Sequence, residues 1–252
     1  MDSLRLIVDP PASGAWNMAV DEALLETAAV AGAGTLRFYE WEVPTLSLGY
    51  FQAIDERQAH AASRDCPVVR RASGGGAILH DREVTYSLAI PQRSGSLADA
   101  SRLYDITHET LIQTLAEFGV SAAKFGDTPQ CSGPGTRLDD EPFLCFLRRS
   151  CTDIVIGGVK VVGSAQRRRR GAVLQHGSIL LGRSRFAPEV LGIEEASGIA
   201  IRGSEIAARW PPLLAGTLGV LIRTGNLSED EHSRAMVLAE GRFGSKEHAA
   251  RR

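Results

Sequence analysis

The feature that most constrains this chain is a strand running straight into three consecutive glycines. Pro67-Val68-Val69-Arg70-Arg71 is short, apolar and β-branched, and Ala72-Ser73 leads from it to Gly74-Gly75-Gly76. Such a run reads as a buried strand, and glycines, lacking Cβ atoms, let backbone approach a ligand closely. Successive N–H groups in a turn of this kind form an anion-binding nest, to which Arg70 and Arg71 could add charge-assisted hydrogen bonds. The spacing is neither a P-loop nor a dinucleotide fingerprint, because no Gly-Lys-Ser/Thr follows and GxGxxG is absent. On pattern alone, a glycine hairpin that only turns a corner explains the segment equally well. His80, just beyond it, reads by itself as structural.

The patterning around this segment alternates between strand and helix periods. Strands are expected at Leu4 to Val8, Thr35 to Trp41, Leu46 to Tyr50, Val84 to Ile90, Thr152 to Ile156, Lys160 to Gly163 and Val173 to Leu181. Helices are expected from Trp16, over Ile54 to Arg64, and over Ala98 to Phe118 as the longest. Further helices fall at Ser204 to Trp210, Leu213 to Ile222 and Ser228 to Glu240, with a frayed tail from Lys246. Strands joined both by helices and by tight turns predict an α+β fold, a mixed, largely antiparallel sheet flanked by helices. Thr128 to Pro142, rich in Gly, Pro, Ser and Asp, reads as a loop that closes over a site or as a plain surface loop.

Two later segments carry chemistry. Gly157-Gly158-Val159-Lys160-Val161-Val162-Gly163-Ser164-Ala165 puts a lysine at the start of an apolar strand, an expensive place for a solvated ammonium. Either the side chain snorkels to the surface or it holds a ligand. Only Lys124, Lys160 and Lys246 among 28 basic residues are lysine, so a lysine in this motif is informative. The run Arg167 to Arg170 reads as a solvated loop or a contact for an acidic partner. Val173-Leu174-Gln175-His176-Gly177-Ser178-Ile179 is a central strand interrupted by polar residues, which need partners or a function.

Composition sets the outer bounds. With 252 residues and 44% hydrophobic content the chain can bury a full core, as one large domain or one with a small appendage. A net charge of −2 gives no drive towards nucleic acid or an anionic membrane. No apolar run approaches the roughly 18 residues of a membrane span, and Met1 to Arg5 lacks a signal-peptide layout. Cys66, Cys131, Cys145 and Cys151 show neither a CxxC pair nor zinc spacing, so free thiols in a reducing cytoplasm and no metal are expected.

The three segments, in this order, resemble the lipoate–biotin protein ligase superfamily. The shared blocks are Arg70-Arg71-Ala72-Ser73-Gly74-Gly75-Gly76-Ala77 with His80-Asp81, then Lys160 ahead of Gly163-Ser164-Ala165, and a first helix at Asn17 to Leu25. They span roughly residues 16 to 181. His80 to Ser87, Phe143-Leu144-Cys145-Phe146 and Leu174 to Leu180 look most like the cysteine-dependent octanoyltransferase branch.

That resemblance implies one catalytic domain over 1–252, with a helical C-terminal part at about 204–245. It implies transfer of an octanoyl group from acyl carrier protein to a lysine of a lipoyl domain, for example the glycine-cleavage H protein, in lipoate biosynthesis. Cys145 would be the nucleophile and Lys160 its essential partner, with Cys151 as the alternative nucleophile. Arg71, Ser73, Gly74, Gly75, Gly76, Ala77, His80, Gly163, Ser164, Ala165, His176 and Gly177 would bind substrate. The backbone near Gly75, Gly76 and Ala77 would polarise the acyl carbonyl, and an apolar tunnel would take the chain. A thioester is already activated, so neither cofactor nor metal is implied. An ATP-dependent lipoate ligase is the first alternative, and a non-catalytic binder of lipoyl domains or acyl groups the second.

Overall fold

The structure, a computed structural model, describes residues 2–92, 100–132, 142–169 and 171–250. In chain order the elements are β1 (Ser3–Val8), α1 (Gly14–Ala31), β2 (Gly34–Tyr39), β3 (Thr45–Leu48), β4 (Val68–Arg70), β5 (Ile78–His80) and β6 (Glu83–Pro91). There follow α2 (Ala100–Glu117), β7 (Ala123–Lys124), β8 (Ile154–Ile156), β9 (Val159–Arg169) and β10 (Ala172–Leu180). The chain closes with α3 (Ile193–Ser197), α4 (Gly203–Leu218), β11 (Leu221–Thr224), α5 (Glu229–Leu238) and α6 (Lys246–Ala250).

Two sheets form. The larger has the order β11-β1-β2-β6-β10-β9-β8-β7. Its β1 runs parallel to β2 and β11, and every pairing from β2 through β6, β10, β9 and β8 to β7 is antiparallel. The expected mixed, largely antiparallel sheet flanked by helices is what the chain builds. The smaller sheet, β4-β3-β5, was not expected, because Leu46 to Tyr50 read as a continuation of the first.

Strand periodicity explains the layering. Along β6, Val84, Tyr86, Leu88 and Ile90 face one way and join Leu103, Leu111 and Leu115 of α2 and Ile206, Trp210 and Leu214 of α4 in one core. Ala89 faces the other way, where α1 and α5 pack through Leu24, Leu25, Ala235 and Leu238. Glu83, Thr85 and Ser87 are buried on this same second side, which holds the site. A third cluster, with Leu46, Leu48, Leu79, Ala77 and Leu144, lies under the small sheet.

Several local expectations are corrected. Ile54 to Arg64 is not an α-helix but two 3-10 turns, Ile54–Ala59 and Ala61–Ser63. No residue of the first is buried, so no packing sustains a longer helix. Ser204 to Ile222 is not two helices: α4 runs through Pro211 and Pro212. The cost of those prolines is offset where Ile206, Trp210 and Leu214 pack against α2 and Trp210 Nε1 donates to Thr110 Oγ1 at 2.9 Å. Past Gly219 the chain becomes β11, so the 204–245 region is not helical throughout. Among the described residues α2 covers 18 residues, as α1 does, and Ala98 and Asp99 of the expected helix lie outside them. The tail is ordered as α6, whose carbonyls at His248 and Ala249 accept from the Arg70 guanidinium. Most of Thr128 to Pro142 lies outside the described residues. Among the described residues no helix is long and apolar enough to cross a membrane.

Candidate active site

Between β9 and β10 of the large sheet, the N-terminal half of α1 and the small sheet lies a cavity whose empty space, open solvent at its mouth included, is about 530 Å³. Its lining includes Arg71, Gly74, Gly75, His80, Cys145, Lys160, Gly163, Ser164, Ala165, His176 and Gly177. Segments far apart in the chain are thus brought to one place. Ser73, Gly76 and Ala77 stand just behind the lining and hold it in shape. Met18, Ile78 and Phe146 supply apolar walls, and Tyr39, Thr85 and Ser178 complete it.

Cys145 begins a 3-10 turn, Cys145–Leu147, at the edge of the cavity. Its backbone N–H donates to Ala77 O at 2.7 Å, and the Ala77 N–H donates to Phe143 O at 3.0 Å. The glycine loop and the cysteine turn are therefore stitched together by backbone. Ala77 N–H is spoken for and Gly76 is off the lining, so of the three expected donors Gly75 is the one that lines the cavity. Gly75 adopts φ +97°, open to glycine and strained for other residues. A Cβ there would lie 4.0 Å from Cys145 Sγ.

Lys160 Nζ lies 3.8 Å from Cys145 Sγ and 3.4 Å from Cys145 O. It also pairs with Asp153 Oδ2 at 2.9 Å, both side chains about 5% exposed or less. Burial pushes the Asp153 carboxyl above its ordinary value, with Lys160 foremost among the groups pulling it back. The lysine does not snorkel to the surface. Asp153 was missed in the sequence, although the hairpin carried the signal. Gly157-Gly158 turns the chain so that Val155 faces Lys160 and Ile154 faces Val162, which sends Asp153 to the lysine side.

The two arginines of the glycine segment brace backbone around the loop, and Arg71 also lines the cavity. Arg70 donates to Gly49 O at 2.8 Å and Gln52 O at 2.7 Å as well as to α6. Arg71, fully buried, spans Ser47 O at 2.8 Å, Gly74 O at 3.0 Å and Gly76 O at 2.9 Å. Burial lowers its pKa to about 10, so it stays charged at neutral pH.

Each histidine has a defined role in the wall. His80 stacks on Trp41 with ring centroids 3.8 Å apart, and burial depresses its pKa against the pull of Glu83. As a neutral ring it donates from Nδ1 to Glu83 Oε1 at 3.0 Å and accepts at Nε2 from Ser47 Oγ at 2.7 Å. His176 bonds Ser73 Oγ at 2.5 Å and faces Asp21 Oδ2 at 3.4 Å. Burial raises the Asp21 pKa, but His176 and Arg37 outweigh it and hold the carboxyl below its usual value. Ser73 is buried and off the lining, so this Ser–His–Asp row is a latch on the glycine loop.

His108 was not foreseen, because a lone histidine inside an α2 helical pattern carries no marker. Burial drives its pKa to about 4. Neutral His108 donates from Nδ1 to Thr152 O at 2.5 Å, which makes Nε2 the acceptor for Ser164 Oγ at 2.7 Å. Tyr86 OH then donates to Ser164 at 2.7 Å and receives Gln175 Nε2 at 2.9 Å. This chain of bonds orients Ser164 in the cavity wall and gives Gln175 of β10 a partner.

Arg167 to Arg169 is strand, not a solvated loop. Arg167 donates to Ala72 O at 2.8 Å, and Arg169 pairs with Glu22 and, at 3.2 Å, Glu26. Arg170 lies outside the described residues. Cys151 does not line the cavity. Among the described residues no group of three or more His, Cys, Asp or Glu side chains is placed to hold a metal ion.

A mixed sheet with a glycine loop, a cysteine and a buried lysine around one apolar-walled cavity defines a domain of the lipoate-ligase type. The sequence profile of the lipoyl protein ligase A/B catalytic domain matches residues 13–189, and the chain belongs to that family. It is 33% identical to an octanoyltransferase LipM of Brevibacillus brevis, covering 100% of both chains, and 33% identical to one of Kyrpidia tusciae, covering 93% and 94%. Its fold matches lipoate-protein ligase A bound with ATP at a TM-score of 0.77 and 22% identity, covering 99% of each chain. A Thermoplasma acidophilum lipoate protein ligase, studied with its E2 lipoyl domain, matches at 0.76 and 19%, covering 99% and 97%.

Proposed function

We propose that this chain is an octanoyltransferase, an acyltransferase of lipoate biosynthesis, working through a thioester on Cys145. The family membership and the full-length likeness to octanoyltransferases support the activity. The observation that carries the assignment of residues is the placement of Lys160 Nζ 3.8 Å from Cys145 Sγ at the cavity edge.

In this reading the donor is an octanoyl thioester of acyl carrier protein. Cys145 sulfur attacks its carbonyl and the carrier thiol leaves with a proton. The Lys160 ammonium stands beside the attacking sulfur. Lys160 and the Gly75 backbone face the developing oxyanion; one such donor is worth about 3 kcal/mol. The octanoyl chain lies against Met18, Ile78 and Phe146, each buried methylene contributing about 0.8 kcal/mol. The lysine amine of a lipoyl domain, such as glycine-cleavage H protein, then attacks the Cys145 thioester, forming the amide and freeing the thiol. The chain acts as one catalytic domain in the cytoplasm.

Intact-mass analysis after mixing with octanoyl carrier protein, in the absence of ATP, tests this. The expected result is an octanoyl adduct mapped to Cys145 and discharged by a lipoyl domain. An adduct or product that forms only when lipoate or octanoate is supplied with ATP would replace this reading with the ligase. Binding with no covalent chemistry under either condition would replace it with the non-catalytic binder.

A further inference from the structure

Cys131 and Cys151 are 20 residues apart in sequence, yet their sulfurs stand 2.8 Å apart. That is closer than two sulfurs approach in ordinary contact and short of the roughly 2.05 Å of a disulfide. Both are free thiols, and Cys151 is exposed. Each has its own backbone anchor: Cys131 N–H donates to Thr128 O at 3.1 Å, and Cys151 O accepts from Gly126 N–H at 2.9 Å. A bond between the sulfurs therefore asks little movement of the chain. Neither thiol lines the cavity, but the segment between them carries Cys145, and two residues beyond Cys151 stands Asp153, the partner of Lys160.

We propose that Cys131 and Cys151 form a redox-active dithiol that closes to an intramolecular disulfide by exchange with a low-molecular-weight disulfide. Closure braces both ends of the segment bearing Cys145 while leaving the site competent. The hydrogen bond to Cys151 raises the Cys131 thiol above its ordinary value, so exposed Cys151 reacts first. Its thiolate attacks one sulfur of the small disulfide and expels one small thiolate, leaving a mixed disulfide. The Cys131 thiolate attacks the Cys151 sulfur and expels the second. Two cysteine thiols are oxidised, one small disulfide is reduced to two thiols, and the protons pass from the cysteines to the leaving groups. No bond to Cys145 is made. The bracing of a working site rests on the reading of Cys145 as the acylated residue; formation of the disulfide does not.

The full chain is titrated with glutathione disulfide and followed by intact mass, by mapping of linked peptides and by thermal melting. Expected are a loss of two hydrogens, one Cys131–Cys151 link, a higher Tm that dithiothreitol reverses, and octanoylation of Cys145 within about twofold of the reduced protein. Cys131→Ser should instead hold a glutathione adduct on Cys151. A stable glutathione adduct in the unmutated chain, or a link through Cys145 or Cys66, overturns the dithiol. Formation of the Cys131–Cys151 link with loss of acylation by more than about tenfold overturns the claim that the braced site works. Failure of the reduced protein to be acylated counts against the octanoyltransferase reading and leaves the disulfide result standing.

Discussion

Replacing Lys160 by methionine should have two separable effects, one on folding and one on chemistry. The ammonium and Asp153 are 2.9 Å apart with 4% and 5% of their side chains exposed, so removing the lysine leaves a buried carboxylate without its ion-pair partner, though the Ser150 N–H still donates to it at 2.7 Å. Breaking a buried pair in this way costs about 3–5 kcal/mol. In a chain of this size each kcal/mol moves Tm by about 2–4 °C, so the single variant should melt on the order of 6–20 °C lower. The deficit should shrink as pH falls, because protonating Asp153 removes the stranded charge. Adding Asp153→Asn should return most of the lost stability. It should not return acylation, since one missing charge-assisted hydrogen bond is worth about 1.5–3 kcal/mol, roughly ten- to hundredfold in rate. Calorimetry and single-turnover acylation of the unmutated chain, both single variants and the double variant give all the terms. A Lys160→Met protein as stable as the unmutated one would refute the buried-pair argument. A double variant that acylates normally would remove Lys160 from the chemistry.

Other outcomes are expected at the same site. Cys145→Ala should abolish the acyl adduct with the fold intact, whereas Cys151→Ser should keep it; the reverse pattern by mass spectrometry would move the nucleophile. Lys160→Arg should acylate almost as poorly as Lys160→Ala, because a wide, flat guanidinium has to fit where Gly163 lies against the lysine; near-normal single-turnover rates would show that charge alone suffices. Gly163→Ala should slow acylation at least tenfold, since its Cβ would stand 2.7 Å from Lys160 Cε; unchanged kinetics would mean that the lysine yields freely. His108 has a pKa of about 4 when folded against 6.5 ordinarily, and His80 shifts the same way. Between these values the unfolded chain binds more protons, so stability should be full above about pH 6.5 and decline as pH falls towards 4. His108→Gln should flatten the slope of denaturant-derived stability over that window, and an unchanged slope would exclude His108 as its source.

Much of this site was legible without coordinates, because glycines and a misplaced charge break local rules that the rest of the chain obeys. Gly74-Gly75-Gly76 ended a buried strand, and Lys160 began one; each is costly unless backbone or ammonium has something to meet. The same reasoning did not show what braces Arg70 and Arg71. Their sequence context offers cations to a ligand, but apart from Gly74 and Gly76 the carbonyls that engage them come from Ser47, Gly49, Gln52 and the α6 helix, all outside the motif. Cys131 and Cys151 carried no spacing signal for the same reason.

By itself the sequence determined the periodicities, and with them the α+β class, the helices α1 and α2, the strands of the large sheet other than β7 and β11, and the segments that meet at the cavity. Those follow from interactions a few residues apart, where apolar spacing and missing Cβ atoms act directly. The tertiary structure alone decided that β3, β4 and β5 form a separate sheet, that α4 continues through two prolines, and that Leu221–Thr224 pairs with β1. It also decided which buried polar groups find partners, from Asp153 on Lys160 to His108 on Ser164. Such choices depend on burial and on distances between chain-remote atoms, which no local pattern encodes.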